Sequence, residues 1–462
     1  MRKLVSRRTF LGGSAVAGAG ILLAACGTAA PAAVEEAPAA PEQKEAEAPK
    51  MEEATEIKYL HFSTQSDVWD NAYDGMFATF EEMNPGLKLK VDIASGSFPT
   101  SLTEKAVAAF ASGVPYDVYY GWFGYLSQFY TAEMLVPLDP FLAADPDVNL
   151  DDFHEYALER IGGQAYGIAW FTNGKEYWYN ADLIAEAGLK SPRELEAEGN
   201  WTWDAVLEMA TKLTKTEGNR ITRFGTQPYR FNRTGWFWIH LFAWGGAWWN
   251  EDFTAPTIDT QQAAEAAQNA LDMVIKHRVA YGLTLGKEPN VEPDFTQQTV
   301  AGLITGSYFT RTIKAQIETQ EEPFTVEHTL LPKGPAGRMA AQSINAKWIS
   351  ASATEPDAGW EFYKFAIGED AIPFIAQLGG SRYAANKSIP PFTQYEYEDP
   401  EVYAQTAAMS VAHRQMVRQS ELDTQWAEGW ISLEEGKTTI QELLEETQKV
   451  AEVHLEEGGC VC

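Results

Sequence analysis

The sequence predicts an α/β protein built as two lobes, each with a sheet flanked by helices. Alternating apolar and polar residues indicate strands, and apolar residues at helical spacing indicate helices between them. The succession strand, helix, strand at short spacing favours parallel strands covered by helices. About 400 residues follow position 56, which is more than one ordinary hydrophobic core accommodates. Two lobes are therefore expected.

The first elements of this region establish the pattern. Strands are predicted at 57–63, 87–93 and 116–120, and helices at 68–83 and 101–112. Asn84, Pro85 and Gly86 end the first helix, because proline and glycine interrupt helical hydrogen bonding. Gly113 is placed to cap the second helix.

A second group of elements follows from about residue 166. Strands are predicted at 176–180, 301–308 and 343–350. Helices are predicted at 203–215, 263–277, 356–367, 369–377, 400–419 and 438–456, and the start of another at 236–241. Thr202 is the expected N-cap of the first of these helices, since its hydroxyl can accept a backbone N–H of the first turn.

Residues 1–25 are predicted to be an export signal. Ser6 to Leu11 form a twin-arginine pattern, and a weakly apolar run from Gly12 to Leu22 follows. Leu23 to Gly27 resembles a lipobox, which predicts cleavage before Cys26 and a lipid on its sulfur. The alternative is a short membrane-spanning anchor, but the run is shorter and less apolar than the roughly 20 residues that a span needs. The protein is expected outside the cytoplasmic membrane, lipid-anchored, on the periplasmic side or the cell surface.

Residues 26–56 are predicted to be the lipidated cysteine followed by a disordered tether. From position 27 onward this segment holds eight Glu, two Lys and no aromatic residue. The export signal holds four basic residues and no acid, so the rest of the chain has 31 basic and 65 acidic residues, a net charge of −34. A field of this sign disfavours nucleic acid and anionic lipid surfaces as partners.

The predicted folded region has no motif for a metal, a cofactor or a nucleotide. The three cysteines are Cys26, Cys460 and Cys462, so disulfides cannot stabilise the region between them. The seven histidines are scattered, with no His-x-x-x-His pair and no phosphate-binding Gly-Lys-Ser/Thr loop. No cofactor or metal is expected. The tail 459–462 could form a disulfide, capture a metal or do neither.

Eight segments, in order, carry a resemblance to a known family. They are Phe80–Gly86, Phe110–Val118, Leu135–Asp139, Tyr166–Ala169, Tyr177–Asn180, Gly245–Asn250, Phe295–Tyr308 and Leu331–Gly337. Together they resemble extracellular solute-binding proteins of family 1, the maltose-binding type. Tyr116, Gln298 and Thr299 stand where that family usually has other residues.

The resemblance implies a two-lobe periplasmic-binding-protein fold (type II-like), with mixed sheets and a ligand cleft between lobes joined by crossing hinge segments near 168–172 and 340–346. Lobe 1 would comprise 57–169 and 343–395, and lobe 2 would comprise 170–342 and 396–458. Such a protein is not an enzyme. It captures a carbohydrate and delivers it to the permease subunits of an ABC importer, which is powered by a separate ATPase. A monomer is expected.

Candidate ligand-binding residues follow strands, because ligands of open α/β sheets lie at the carboxyl ends of strands. In the first lobe they are Thr64, Asp67, Tyr120 and Trp122. Asp67 could instead cap the helix that follows, and Trp122 could be buried core. Phe171 stands near the crossing, where the maltose-binding branch has a carboxylate.

Candidates in the second lobe are mostly aromatic or cationic. They are Trp236, Trp244, Tyr308 and Arg311, with Gly380 and Arg382 from a tight loop. Aromatic rings stack on sugar faces, and charged groups bond sugar hydroxyls strongly. Each tryptophan could equally be core, Arg311 could form a surface ion pair, and Arg382 could bridge the lobes.

Two other functions are alternatives to sugar binding. A secreted glycoside hydrolase or lyase would need two carboxylates about 5–10 Å apart, and no motif defines such a pair. The same fold could instead bind a polyamine, a glycerophosphodiester or a peptide. An aromatic cleft in an anionic field suits a polyamine, whereas Arg311 and Arg382 in the cleft favour an oligosaccharide or glycoside.

Overall fold

The computed structural model describes residues 54–63, 67–96, 100–227, 231, 234–282, 291–377, 385–391, 393, 395–411, 414, 416 and 418–456, without the side chains of 67–69 and 291. The predicted export signal, Cys26, most of the predicted tether and the tail lie outside the described residues. So do Thr64, Gly380 and Arg382.

Thirteen strands are described. They are β1 Thr55–Phe62, β2 Leu87–Ala94, β3 Val118–Trp122, β4 Leu158–Ile161, β5 Gln164–Asn173, β6 Lys175–Asn180, β7 Lys215–Glu217, β8 Arg220–Arg223, β9 Gly302–Gly306, β10 Val326–Thr329, β11 Ala340–Ala341, β12 Ser343–Ile349 and β13 Ser410–Val411.

Sixteen α-helices are described. They are α1 Asp67–Met83, α2 Thr100–Ala111, α3 Leu126–Thr131, α4 Asp139–Ala144, α5 Ala181–Glu186, α6 Pro192–Ala197, α7 Trp203–Leu213, α8 Thr234–Ala243, α9 Gln261–Ile275, α10 Val291–Thr296, α11 Phe309–Thr312, α12 Pro356–Ile367, α13 Ile372–Gln377, α14 Pro400–Ala408, α15 Gln419–Glu434 and α16 Ile440–Glu456. None of the described helices is long and apolar enough to span a membrane.

The first sheet has six strands in the order β2-β1-β3-β12-β5-β4. β1 runs parallel to β2 and β3, and β12 runs antiparallel to β3 and β5, so the sheet is mixed as expected. The inner strands β3 and β5 are buried over nearly their whole length, because both faces of the sheet are covered. The associated core draws its buried residues from 57–171 and 344–385.

Asp117 joins three parts of this first region. One carboxylate oxygen accepts the backbone N–H of Lys58 on β1 at 2.8 Å. The other accepts the N–H groups of Thr354 and Glu355 at 2.6 and 2.9 Å, just before α12. A buried carboxylate is stable only when its oxygens are satisfied in this way, which accounts for an acid directly before β3.

The second sheet has three antiparallel strands in the order β10-β6-β9. All six residues of β6 are buried. Because side chains alternate along a strand, Tyr177 and Tyr179 enter a core drawn from 177–341 and 416–451, whereas Trp178 enters a smaller cluster with Phe295 and Phe309.

The chain passes from the first sheet to the second between Asn173, the end of β5, and Lys175, the start of β6. It returns between β11 and Ser343, the start of β12. These two crossings lie close to the predicted ones. The lobe boundaries at 169/170, 342/343 and 395/396 stay a prediction, although the first core includes Trp170 and Phe171.

Most predicted elements are confirmed to within a few residues, including two caps. Thr202 accepts the N–H of Ala205 at the start of α7. Gly113 follows α2 with φ +72°, a conformation that favours glycine.

One predicted element is wrong, and two predicted boundaries differ from the observed ones by two residues. The single helix at 400–419 is two helices, α14 and α15, separated by β13, which pairs with β11. Tertiary pairing there overrides a helical pattern, and α15 then continues to Glu434. The helix predicted to reach Lys215 ends at Leu213, because Lys215 pairs with Arg223 in a hairpin. β1 begins at Thr55, within the predicted tether.

Candidate functional site

A buried lysine lies where the two crossings meet. Lys175, the first residue of β6, is 6% exposed. Its Nζ donates to Ser343 Oγ at 2.8 Å, so the ammonium links the outgoing crossing to the returning one. Ser307 reinforces the same place, since its N–H donates to the carbonyl of Gly174 at 3.0 Å.

Three side chains of the second region lie near this lysine, and a fourth, that of Arg311, lies near two of them. The ring centroids of Trp236 on α8 and Tyr308 after β9 lie 5.4 and 5.8 Å from Nζ. Glu292 on α10 favours the charged form of both Lys175 and Arg311 on α11. We call Lys175, Trp236, Glu292, Tyr308 and Arg311 the crossing cluster.

Local structure holds these side chains close together. Thr305 Oγ1 donates its hydrogen to Glu292 at 2.9 Å and lies 3.2 Å from the hydroxyl oxygen of Tyr308. Gly306 permits the approach, since a Cβ there would lie 2.5 Å from the Tyr308 ring and 3.3 Å from the Nζ of Lys175. A π-helical turn, Ile313–Ile317, follows α11, and such turns are frequent at functional sites.

Burial dominates the electrostatics of the cluster. It lowers the pKa of Lys175 to about 8, against the opposing influence of Glu176 and Glu292. It also lowers the pKa of Arg311, which Glu292 counteracts most. The cluster thus combines two cations with a nearby carboxylate and two aromatic rings.

Tyr73 on α1 is a side chain of the first region that lies near the crossing cluster. Burial raises the pKa of Tyr73 well above its usual value, and the positive charge of Arg311 acts against that rise. The ring of Tyr73 also lies 5.7 Å from that of Trp170. Tyr395, on the chain after α13, lies close enough to influence the pKa of Arg311 as well.

Of the predicted site residues, Trp236 and Tyr308 lie beside Lys175, and Arg311 lies near Tyr308 and Glu292. Tyr120 lies in the first region, where its ring contacts Trp170 at 6.0 Å and its hydroxyl donates to Asn345 at 2.9 Å. That places it on the same side of the crossings as Tyr73.

The other predicted residues lie elsewhere. Phe171 is 1% exposed and packs on Trp170 in the first core. Trp122 is partly buried and packs on Phe123 and Tyr125. Trp244 packs on Trp203 and His240 in the second core. Asp67 begins α1. Their roles as ligand contacts stay predictions.

Sequence reasoning missed Lys175, Glu292, Tyr73 and Tyr395. A signal existed for Lys175, because Lys175 and Glu176 are a charged pair within a strongly apolar stretch. Charged residues are almost never fully buried without a specific role or partner. Glu292, Tyr73 and Tyr395 gave no comparable signal, since tertiary structure brings them to the crossings. Within the described residues, no group of three His, Cys, Asp or Glu side chains could hold a metal ion.

Comparison with known proteins agrees with this architecture. Residues 66–372 match the family described as bacterial extracellular solute-binding protein. The lactose-binding protein of Rhizobium radiobacter is 23% identical over 266 residues, which are 56% of this chain and 59% of that protein.

Two solved structures are similar in fold. The ABC substrate-binding protein Lmo0181 from Listeria monocytogenes, in complex with cycloalternan, has a TM-score of 0.73 at 21% identity, covering 87% of this chain and 100% of that one. UgpB from Mycobacterium tuberculosis, in complex with glycerophosphocholine, has a TM-score of 0.70 at 16% identity, covering 88% and 99%. The chain belongs to the bacterial extracellular solute-binding proteins, and it is a binding protein rather than an enzyme.

Proposed function

We propose that this protein is the carbohydrate-binding component of an ABC importer. The observation that carries the proposal is the crossing cluster. Two aromatic rings and three charged side chains lie at the junction between the two regions, where Lys175 bonds to Ser343. An oligosaccharide or glycoside is the expected cargo.

The chemistry of a sugar fits these groups. A pyranose has apolar C–H faces and a rim of hydroxyls. Trp236 and Tyr308 offer flat apolar surfaces to the C–H faces. Arg311 and Lys175 can donate charge-assisted hydrogen bonds to the sugar oxygens, and Glu292 can accept hydrogen bonds from the sugar hydroxyls. A few convergent polar groups beside aromatic rings are typical of small-molecule sites.

The similar proteins support this ligand class without identifying the ligand. Lactose and cycloalternan, named for two of them, are carbohydrates. Glycerophosphocholine, named for the third, has a phosphate and a quaternary ammonium instead. A glycerophosphodiester is therefore the main competing ligand, followed by a polyamine or a peptide.

Capture would proceed by closure of two lobes about the crossings. A ligand stabilises the closed arrangement only by as much as it binds that arrangement better than the open one. Contacts from both sides of the crossings meet this requirement, and hinge closure is established for periplasmic binding proteins. Tyr73 and Arg311, on opposite sides, are the expected pair of contacts.

We further propose that the protein works outside the cytoplasmic membrane as a lipid-anchored monomer. The twin-arginine pattern and the lipobox-like residues before Cys26 support this. Acyl chains on one cysteine can hold a folded domain at a membrane. Delivery would be to permease subunits whose ATPase is a separate chain.

Thermal unfolding of the purified protein tests the ligand class. The probes are lactose, maltotriose, cycloalternan, glycerophosphocholine and spermidine. A probe at about 100 times its Kd should add about 2.7 kcal/mol of stability, visible as a clear rise in Tm. A rise with a saccharide, without its turnover, supports the proposal. A rise with only spermidine or glycerophosphocholine overturns the sugar assignment, and cleavage of a saccharide overturns the binding role.

A further inference from the structure

Lys175 has hydrogen-bonding capacity left over. An ammonium group carries three N–H donors. The Ser343 hydroxyl takes one at 2.8 Å, and the carbonyl of Asn173 lies at 3.5 Å, the limit of a hydrogen bond. Within the described residues, no carboxylate comes within ion-pair distance of Nζ. A buried ammonium with one ordinary hydrogen bond can therefore receive a further acceptor.

The surroundings indicate what that acceptor is. The Nζ faces the rings of Trp236 and Tyr308, at 5.4 and 5.8 Å from their centroids. Glu292 and Glu176 favour its positive charge from α10 and from β6 itself. A molecule lying against the two rings would present its edge to the ammonium, and an oxygen on that edge would complete its hydrogen bonds.

We propose that Lys175 is a specificity-determining residue that donates a charge-assisted hydrogen bond to an oxygen of a saccharide held against Trp236 and Tyr308, and that it excludes cationic ligands. This inference rests on the proposed function. The ammonium favours hydroxyl, ring or anionic oxygens as partners. It repels a polyamine nitrogen at the same position, because two like charges in a partly desolvated site destabilise each other.

The bond to Ser343 gives this contact a second consequence. Ser343 begins β12 on the returning crossing, and Lys175 begins β6 on the outgoing one. A saccharide oxygen bound at Nζ is therefore joined through one side chain to both connections between the regions. Ligand contact at Lys175 acts directly on the segments about which closure occurs.

Affinity should then depend on pH above neutrality. The pKa of Lys175 is about 8, and the charged groups that face it are Glu176 and Glu292. The ammonium loses its proton as the pH rises through this pKa. If only the charged form donates, affinity for a saccharide falls by about tenfold between pH 7 and pH 9.

Three variants of the full chain distinguish a ligand-contacting role of Lys175 from a purely structural one. Lys175→Met removes the charge but keeps the volume, Lys175→Arg keeps the charge, and Ser343→Ala removes only the link to the returning crossing. Lys347→Met, which removes a buried lysine inside the first core, is the matched control. Titration calorimetry with lactose, maltotriose, cycloalternan and spermidine at pH 7 and pH 9 gives the affinities, and melting temperatures verify folding.

The expected result is a loss of saccharide affinity of about 10- to 100-fold in Lys175→Met, with no remaining pH dependence. Lys175→Arg keeps measurable affinity and is insensitive to pH up to 9, and Lys347→Met binds like the unaltered protein. If a folded Lys175→Met binds the saccharide within threefold of the unaltered protein, Lys175 has only a structural role in linking the two crossings. The proposal is then wrong, while the sugar-binding function stands. If spermidine alone binds the unaltered protein, both proposals are wrong.

Discussion

Two lysines are buried in the part of the chain that the structure describes, and each lies over a tryptophan. Lys347 is 0% exposed on β12 in the first core, with Nζ 3.9 Å from the Trp170 ring centroid and 3.3 Å from the hydroxyl of Tyr59. Lys175, at the crossings, has a serine hydroxyl, two aromatic rings and a nearby carboxylate around it. The same residue type is enclosed by the core in one place and lies at a junction in the other.

Two glutamates show the same contrast, one in the first core and one at the crossings. Glu159 is buried in the first core, and Trp348 Nε1 donates to it at 2.5 Å, but no cation affects its pKa. Glu292 accepts from Thr305 and lies near Lys175 and Arg311. Lys347 and Glu159 each bear the desolvation of burial without neutralising the other. In the crossing cluster, Glu292 offsets part of the desolvation of Lys175 and Arg311, although burial still lowers the pKa of both.

The comparison teaches that buried charge alone does not indicate a functional site. In the core, desolvation shifts each pKa in the direction that favours the neutral form of the side chain. At the junction, polar groups from several elements face one another with aromatic rings between them. That convergence, more than the depth of burial, is the reason that we propose the crossing cluster as the binding site.

The largest expected effect separates two tryptophans. Trp244→Ala should reduce the free energy of unfolding by about 3 kcal/mol, because Trp244 packs against Trp203 and His240 in the second core. Trp236 is also partly buried against that core, so Trp236→Ala should lower stability too, but it should in addition reduce saccharide affinity about tenfold or more because its ring lies over Lys175. Urea unfolding and calorimetry with the panel saccharide that binds measure both. Equal losses of saccharide affinity in the two folded variants would erase the distinction between core and junction.

The next effect concerns Glu159. Burial raises its pKa to about 7, so the folded state holds a proton that the unfolded state releases above its own pKa near 4.5. This contribution to stability is full below pH 4.5 and is lost as pH rises to 7. Relative to the unaltered protein, Glu159→Gln should gain about 1.4 kcal/mol per pH unit across that window and level off above it.

Urea unfolding of both proteins between pH 4.5 and pH 8 measures this difference. A flat difference for Glu159→Gln would mean that the core compensates this carboxylate after all.

The smallest of these effects is that of Lys347. Burial lowers its pKa well below the usual value, so its charged form destabilises the fold at neutral pH. Stability therefore rises as pH increases toward 10.5, where the unfolded state also loses its proton. Lys347→Met should stabilise the protein by about 1–2 kcal/mol at pH 7, since an apolar isostere removes the desolvated cation but also the bond to Tyr59.

This gain should shrink as pH approaches 10.5, and denaturant unfolding at pH 7 and pH 10 measures it. Lys175→Met should gain less, because Glu176 and Glu292 offset part of the desolvation of Lys175 and the substitution also removes the bond to Ser343. A loss of stability in Lys347→Met would show that the cation–π contact with Trp170 outweighs desolvation.

The sequence by itself determined most local structure. Hydrophobic periodicity and the capping residues Thr202 and Gly113 are short-range signals, because they depend on neighbours within a few residues. The eight ordered segments likewise carried the family resemblance, and the family and fold are confirmed. Trp236, Tyr308 and Arg311 could be named because they follow strand and helix ends.

Only the tertiary structure decided which side chains meet. Trp236 and Trp244 look alike in the sequence and both pack against the second core, yet Trp236 also lies over Lys175, whereas Trp244 packs on Trp203 and His240. The break at Ser410 depends on pairing with β11, far away in the sequence. Glu292 joins Lys175 and Arg311 only because β6, α10 and α11 converge. Long-range contacts of this kind leave no local pattern, since their energy arises between segments that the chain brings together on folding.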